Sequence, residues 1–270
     1  MRSLLVYLCA LGALTAADRP AFFAMDTAAR LQPAECAAVL AELGYAGLGG
    51  RPATAKAHAA ALQAKGLAFF NGYHVADFAS GQDNLPPELT KAVDDLAGTG
   101  GTLWLAINKV ELPLGLRMPP EYGDTVVVPQ LRQLVAYAKP KGVKISLYPH
   151  AGFWGARFET CVRVATKVDD PGLGVTFNLC HWLKVEGAER DPVPVLRAAL
   201  PRGKLLSVAA YPPPTMHHRF PDVHWDEAYY RQVAPRCDQL AVMLYDTALH
   251  DRKLYQNLLR TWTREVLEWS

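Results

Sequence analysis

The chain has little cysteine, little net charge and no apolar run long enough to span a bilayer. Its five cysteines, Cys9, Cys36, Cys161, Cys180 and Cys237, show no CxxC or zinc-ribbon spacing. Buried free thiols fit that scatter better than a disulfide framework. Cys180, beside His181, also stands where a reactive thiol could act. The excess of Lys and Arg over Asp and Glu is only +2, and the basic residues are scattered. Nothing here argues for nucleic acid or an anionic membrane surface as a partner. No segment is of low complexity and no linker divides the chain. A phosphate loop is missing too: Met25-Asp26-Thr27-Ala28, after the first apolar strand, lacks its glycines. That argues against an open, doubly wound nucleotide-binding sheet.

The first segment reads as an export signal. Met1-Arg2 supplies positive charge, Ser3–Leu14 an apolar stretch and Thr15-Ala16-Ala17 the small residues of a cleavage point. The stretch is too short for an ordinary membrane-spanning helix. The expectation is a leader over residues 1–17, a mature start near Asp18 and a periplasmic or extracellular protein without a stable membrane anchor. The alternative is a buried N-terminal strand or helix.

What is present is a regular alternation. Apolar, strand-like runs occur at Phe22–Thr27, Ala46–Gly50, Leu67–His74, Thr102–Asn108, Val143–His150, Gly174–His181, Leu205–Tyr211 and Gln239–Asp246. Amphipathic segments follow each run: Pro33–Leu43, Thr54–Lys65, Pro87–Ala97, Thr125–Ala138, Arg157–Val168, Pro192–Leu200, Trp225–Val233 and Leu254–Trp269. In the last of these Leu254, Leu258, Leu259, Trp262, Val266 and Trp269 share one helical face. The strands are continuous apolar runs, as parallel strands covered on both faces should be. Eight such pairs in a chain of 270 residues predict an α/β fold, a single-domain (β/α)8 barrel. The stretches Val75–Pro86 and Lys109–Asp124 are then expected as long rim loops.

In such a barrel the chemistry sits at the carboxyl ends of the strands. Reading those ends gives Asp26, Asn71, His74, Asn108, Glu111, Tyr148, His150, Asn178, His181, Tyr211 and Asp246. The set is polar, aromatic and poor in charge. It suits a neutral polyhydroxylated ligand, which needs amide and hydroxyl partners and flat aromatic faces. His150 and His181 could be acid/base groups, metal ligands or hydrogen-bonding rim residues. Asp246 brings a carboxylate to the rim, unless it caps the next helix or pairs with an arginine. Glu111 and Glu186 read as solvated loop residues that could approach the site. His217, His218, His224 and His250 read as surface-loop histidines, since adjacent histidines make a poor chelate.

Two stretches carry a resemblance. Leu147-Tyr-Pro-His150, and Asp170-Pro-Gly-Leu-Gly-Val-Thr-Phe-Asn-Leu-Cys-His181, resemble fifth- and sixth-strand motifs of the xylose isomerase-like superfamily of sugar isomerases and epimerases, over about residues 20–200. The resemblance implies a barrel and a carbohydrate-like pocket. It also implies a divalent metal held by a fifth-strand Glu, a sixth-strand Asp, a His on the seventh strand or nearby and an eighth-strand Glu. Here Tyr148 and Asn178 stand at the first two of those positions, so two negative charges are gone. Hard cations want oxygen anions, so affinity should fall steeply. His150 and His181, with Asp246 or Glu111, could still gather a softer ion such as zinc.

The segment from about Asp191 to Ser270 is similar to late strands of chitinase-like family 18 glycoside hydrolases, through Leu205–Pro214 and Met243-x-Tyr245-Asp246. That family's Asp-x-x-Asp-x-Asp-x-Glu strand is absent, so no acid stands ready to protonate a glycosidic oxygen. A composite of two barrel fragments, 18–190 and 191–270, is one way to reach eight strands. The reading that results is a barrel that binds or acts on a small carbohydrate or polyol, with no confident cofactor and a divalent metal as an open alternative. His150, His181 and Asp246 are the candidate catalytic residues. Asn108, Tyr148, Asn178 and Tyr211 are the candidate substrate contacts. A carbohydrate-binding barrel that has lost its metal, and a hydrolase using Asp246, are the rival classes. The sequence does not speak to oligomeric state.

Overall fold

A computed structural model describes residues 21–25, 31–81, 84–112, 119–187, 189–199, 207–210, 226–236, 239–242 and 252–269. The proposed leader, Asp26, Tyr211, His217, His218, His224, Asp246 and His250 lie outside them.

The expected alternation is present. In chain order the elements are β1 (Ala21–Met25), α1 (Pro33–Glu42), β2 (Gly47–Gly50), α2 (Ala55–Gln63), β3 (Ala68–Ala79), α3 (Pro87–Leu96), β4 (Thr102–Glu111) and α4 (Pro120–Ala138). They continue with β5 (Ile145–Leu147), α5 (Phe158–Val168), β6 (Leu173–Val175), β7 (Phe177–Asn178), α6 (Leu179–Glu186), α7 (Val193–Ala199), β8 (Ser207–Ala210), α8 (Glu227–Val233), β9 (Gln239–Val242) and α9 (Arg252–Trp269). The strands form one sheet in the order β6-β5-β4-β3-β2-β1-β9-β8-β7, and every pairing is parallel. The two ends of that order, β6 and β7, are separated in the chain by Thr176 alone. They are halves of one barrel strand, so the sheet closes on itself into eight staves. Thr176 N–H keeps the broken strand attached by donating to Leu147 O at 2.8 Å.

Alternation along the staves sorts the core into two layers. Outward residues such as Phe22, Ala24, Leu48, Leu103, Leu105, Ile145, Leu147 and Phe177 pack under the helices. Inward residues Phe23, Met25, Trp104, Ala106, Tyr148 and Ala241 fill the barrel, with Phe70 and Tyr73 against them. The interior is aromatic: Phe23 stacks on Phe70 at 4.6 Å and Trp104 on Tyr148 at 5.2 Å. Phe23, fully buried, contributes roughly 1.5–3 kcal/mol. Rings of that size need room, and β2 supplies it with glycines at both inward positions. A Cβ on Gly47 would lie 1.9 Å from Ala68 O, and one on Gly49 2.2 Å from Asn71 Oδ1.

Several boundaries differ from the sequence reading, and those of β3, β4, α4 and the sixth stave have a local reason. β3 and β4 run on past the barrel to Ala79 and Glu111, because they pair with each other above the rim. The expected long loops are therefore shorter, and Glu111 ends a strand. α4 begins at Pro120 rather than Thr125; proline suits a first helical turn, where its missing N–H is not needed. The sixth stave stops at Asn178 instead of reaching His181. Asn178 Oδ1 accepts from His181 N–H at 3.1 Å, an N-cap that starts α6 at once.

Candidate active site

The ends of β5 and β7 meet at the carboxyl rim. Tyr148 follows β5 and points into the barrel, where its ring packs on Trp104 and edge-on against Tyr73 at 5.2 Å. Pro149 has no N–H to continue the ladder, and the chain turns through Pro149 to present His150. On the neighbouring stave the Asn178 cap places His181 in the first turn of α6. The two imidazoles come together with ring centroids 4.0 Å apart and planes tilted by 41°. Phe153 stacks on the His150 ring at 4.1 Å, and Tyr148 meets His181 edge-on at 5.9 Å.

A hydrogen-bonded chain holds this group. Asn178 Nδ2 donates to the Tyr148 hydroxyl in a short contact, while Asn178 Oδ1 takes the His181 amide. Tyr148 and Asn178 are 5% and 1% exposed, so the pair is inside the barrel mouth and not on its surface. Ala151 N–H donates to His181 Nδ1 at 3.2 Å, and Ala151 O bonds His150 Nδ1 at 2.9 Å. Deeper in the barrel, the Ser146 and Thr176 hydroxyls bond each other at 2.7 Å.

The electrostatics are those of a neutral site. Burial, then the neighbouring His150 ring and Lys184, push His181 down to about 3. Burial also lowers His150, opposed by its bond to Ala151 and assisted by Lys184. Both imidazoles are thus uncharged at neutral pH.

The other expected rim residues that are described go elsewhere. Asn108 turns its amide to Asp77, donating to Oδ1 at 2.8 Å on the β3–β4 ribbon. Asn71 is inside the barrel, 1% exposed, with Nδ2 on Met25 Sδ at 3.3 Å and no partner for Oδ1 among the described residues. His74 pairs in register with outward Leu105 and faces the helix layer, where burial lowers it against the pull of Glu88. Glu186 lies on α6 and is tied to Arg190, with Arg157 at 3.5 Å. Cys180 is buried in the interior cluster, 2% exposed. Trp104, Tyr73, Phe153 and Ala151 are not singled out by the sequence reading. For Trp104 and Tyr73 the inward alternation of their strands was an available signal; Phe153 sits in the turn between β5 and α5, and Ala151 acts through its backbone, so neither carries one.

The implied metal can be tested against these donors. Tyr148 and Asn178, at the positions of two expected carboxylates, are uncharged and bonded to each other. A phenol and an amide joined in this way do not fit a hard divalent cation. Among the described residues no three His, Cys, Asp or Glu side chains converge as a ligand set.

Known structures share the architecture. The chain is similar to 3-keto-D-glucoside 4-epimerase YcjR from E. coli, with a TM-score of 0.63 and 17% identity over 91% of this chain and 99% of that one. It is similar to D-allulose 3-epimerase from Methylomonas sp. in complex with D-allulose, TM-score 0.60 and 17% identity over 93% of this chain and 96% of that one. It also resembles the IOLI protein with a bound zinc atom, TM-score 0.61 and 14% identity over 92% of this chain and 95% of that one. At such identities the likeness is one of fold. Among curated proteins none matches the sequence. The description of the xylose isomerase-like TIM barrel matches residues 87–236, more than half of the chain, and it runs unbroken across the boundary near residue 190 where a second resemblance begins. With a closed ring of parallel staves and that match, the chain belongs to the xylose isomerase-like TIM-barrel family.

Proposed function

We propose that the protein binds a small neutral carbohydrate or polyol at the carboxyl rim, between the aromatic walls and the two imidazoles, and moves a proton next to its carbonyl. The observation that carries this reading is the neutral His150–His181 pair at the strand ends, backed by Tyr148 and Asn178. His150, His181, Tyr148 and Asn178 offer a charged ligand no fixed counter-charge, although Lys184 is a cationic neighbour of both imidazoles. A sugar finds ring faces in Phe153 and Tyr73, and hydrogen-bonding edges in the imidazoles. A neutral histidine is a competent base near neutral pH. The fold neighbours whose names record 3-keto-D-glucoside and D-allulose epimerases support the same substrate class.

The test is incubation of the protein with a panel of ketoses, aldoses and keto-glycosides in deuterated water, followed by NMR of the sugar. Deuterium entering a carbon next to the carbonyl, at a rate above buffer alone, is the expected result. Binding of a panel member with no deuterium uptake would leave a carbohydrate-binding barrel and remove the catalytic half of the reading. Neither binding nor uptake would remove both halves.

A further inference from the structure

The two imidazoles are anchored on one residue, and by opposite kinds of bond. Ala151 O lies 2.9 Å from His150 Nδ1. A carbonyl oxygen only accepts, so His150 Nδ1 holds the proton in that bond. Ala151 N–H lies 3.2 Å from His181 Nδ1. An amide N–H only donates, so His181 Nδ1 holds a lone pair. A neutral imidazole has one N–H, so the assignment at Nδ1 determines the state of Nε2. His150 is left with a lone pair at Nε2, and His181 with a proton there. Neither Nε2 is engaged in a hydrogen bond to another described residue, and the rings are 4.0 Å apart.

We infer that the Ala151 backbone sorts His150 and His181 into opposite tautomers, so that His150 Nε2 is the proton acceptor and His181 Nε2–H the carbonyl-binding donor of this site. The ligand this pair matches is an α-hydroxy ketone or aldehyde: one acidic C–H for the lone pair, one carbonyl oxygen for the N–H. The choice of ligand rests on the function proposed above; the tautomers rest on the two hydrogen bonds together with the burial that keeps both rings neutral.

The step balances without a further reactant. His150 Nε2 takes the proton from the carbon next to the carbonyl and becomes an imidazolium. The C–H electron pair forms the carbon–carbon double bond of an enolate. The carbonyl π pair moves to oxygen, where the His181 N–H bond strengthens as charge develops. His181 stays neutral and polarises the carbonyl, a role open to an imidazole in the first turn of a helix. Return of the proton from His150 regenerates the C–H bond; if the imidazolium has exchanged with solvent, the carbon carries deuterium. Burial of both rings keeps the pair neutral before substrate arrives.

Long-range proton–nitrogen NMR of the nitrogen-labelled full chain at neutral pH reads the tautomers directly. The expected spectrum has His150 protonated at Nδ1 and His181 protonated at Nε2. The same tautomer at both rings, or an imidazolium at either, overturns the inference whatever the enzyme turns over. The functional arm compares His150→Gln with His181→Gln in the deuterium assay. Glutamine can place an N–H near an Nε2 position but cannot act as a base. His150→Gln should therefore lose deuterium uptake by roughly 100-fold or more, and His181→Gln should keep the larger share. The reverse order overturns the assigned roles. If the unaltered protein shows no uptake with any sugar, the catalytic roles fall with the proposed function, and the spectrum still decides the sorting of the tautomers.

Discussion

His181 is 8% exposed, and its surroundings hold it at about 3, against 6.5 for a free imidazole. Between those values the unfolded chain binds a proton at His181 that the folded chain refuses. Stability then rises with pH across that window, and it is lost as pH falls from 6.5 toward 3. His150 and His74 are lowered in the same direction by burial and steepen the slope. His181→Gln removes one of these groups. We predict that it flattens the acid limb of the stability curve by up to roughly 1.4 kcal/mol per pH unit, measured by denaturant unfolding at a series of pH values. An acid limb unchanged by the substitution would mean that His181 takes up its proton in the folded state as readily as in the unfolded one. The convergence of His150 and His181 is legible in the sequence, because each closes a segment that begins as an apolar strand. Their common anchor is not, since backbone groups have no residue code. Nor is the Tyr148–Asn178 bond, which joins residues thirty positions apart and depends on how two staves sit side by side.

At the level of elements, the glycines of β2 and the bulge of β3 form one device. Gly47 pairs with Ala68 and Leu48 with Phe69, but Gly49 pairs with Asn71, so Phe70 is an extra residue. The bulge turns Phe70 inward onto Phe23, and the bare inward face of β2 accepts it. We predict that Gly49→Ala destabilises the fold by about 1–3 kcal/mol, as overpacking does. Its Cβ would lie 2.2 Å from Asn71 Oδ1 and 2.8 Å from Met25 Sδ. Gly174→Ala on β6 is the control, since nothing lies within 4 Å of a Cβ there. Thermal unfolding of the two variants should separate them, and equal midpoints would show that the interior beside β2 yields without strain. Element existence and type are legible from apolar periodicity except at α6 (Leu179–Glu186), whose first residues read as the end of the sixth strand. The ends are not: the early stop of the sixth stave comes from a side-chain cap, and the long β3–β4 ribbon from pairing between strands that no single window of sequence contains.

The whole molecule combines a closed ring with a mouth where, among the described residues, Tyr148 and Asn178 stand in place of two expected carboxylates. Closure depends on the stave shared by β6 and β7, which pairs with β5 through its first half and β8 through its second. That same stave delivers Asn178 to Tyr148, so the neutral pair is built into the join of the barrel. A hard cation placed there would have to break the phenol–amide bond and would meet no anionic oxygen from either residue. By linkage, an ion present at 100 times its dissociation constant stabilises a fold by about 2.7 kcal/mol, a shift that melting experiments resolve. We predict that stripping with chelator leaves the melting midpoint where it was, and that millimolar magnesium or manganese does not raise it. Elemental analysis of protein purified without chelator should find less than one equivalent of divalent metal. One bound equivalent, with the midpoint falling on chelation, would show that other rim groups hold an ion without those two carboxylates, and that the chemistry of this mouth has to be rebuilt around its charge.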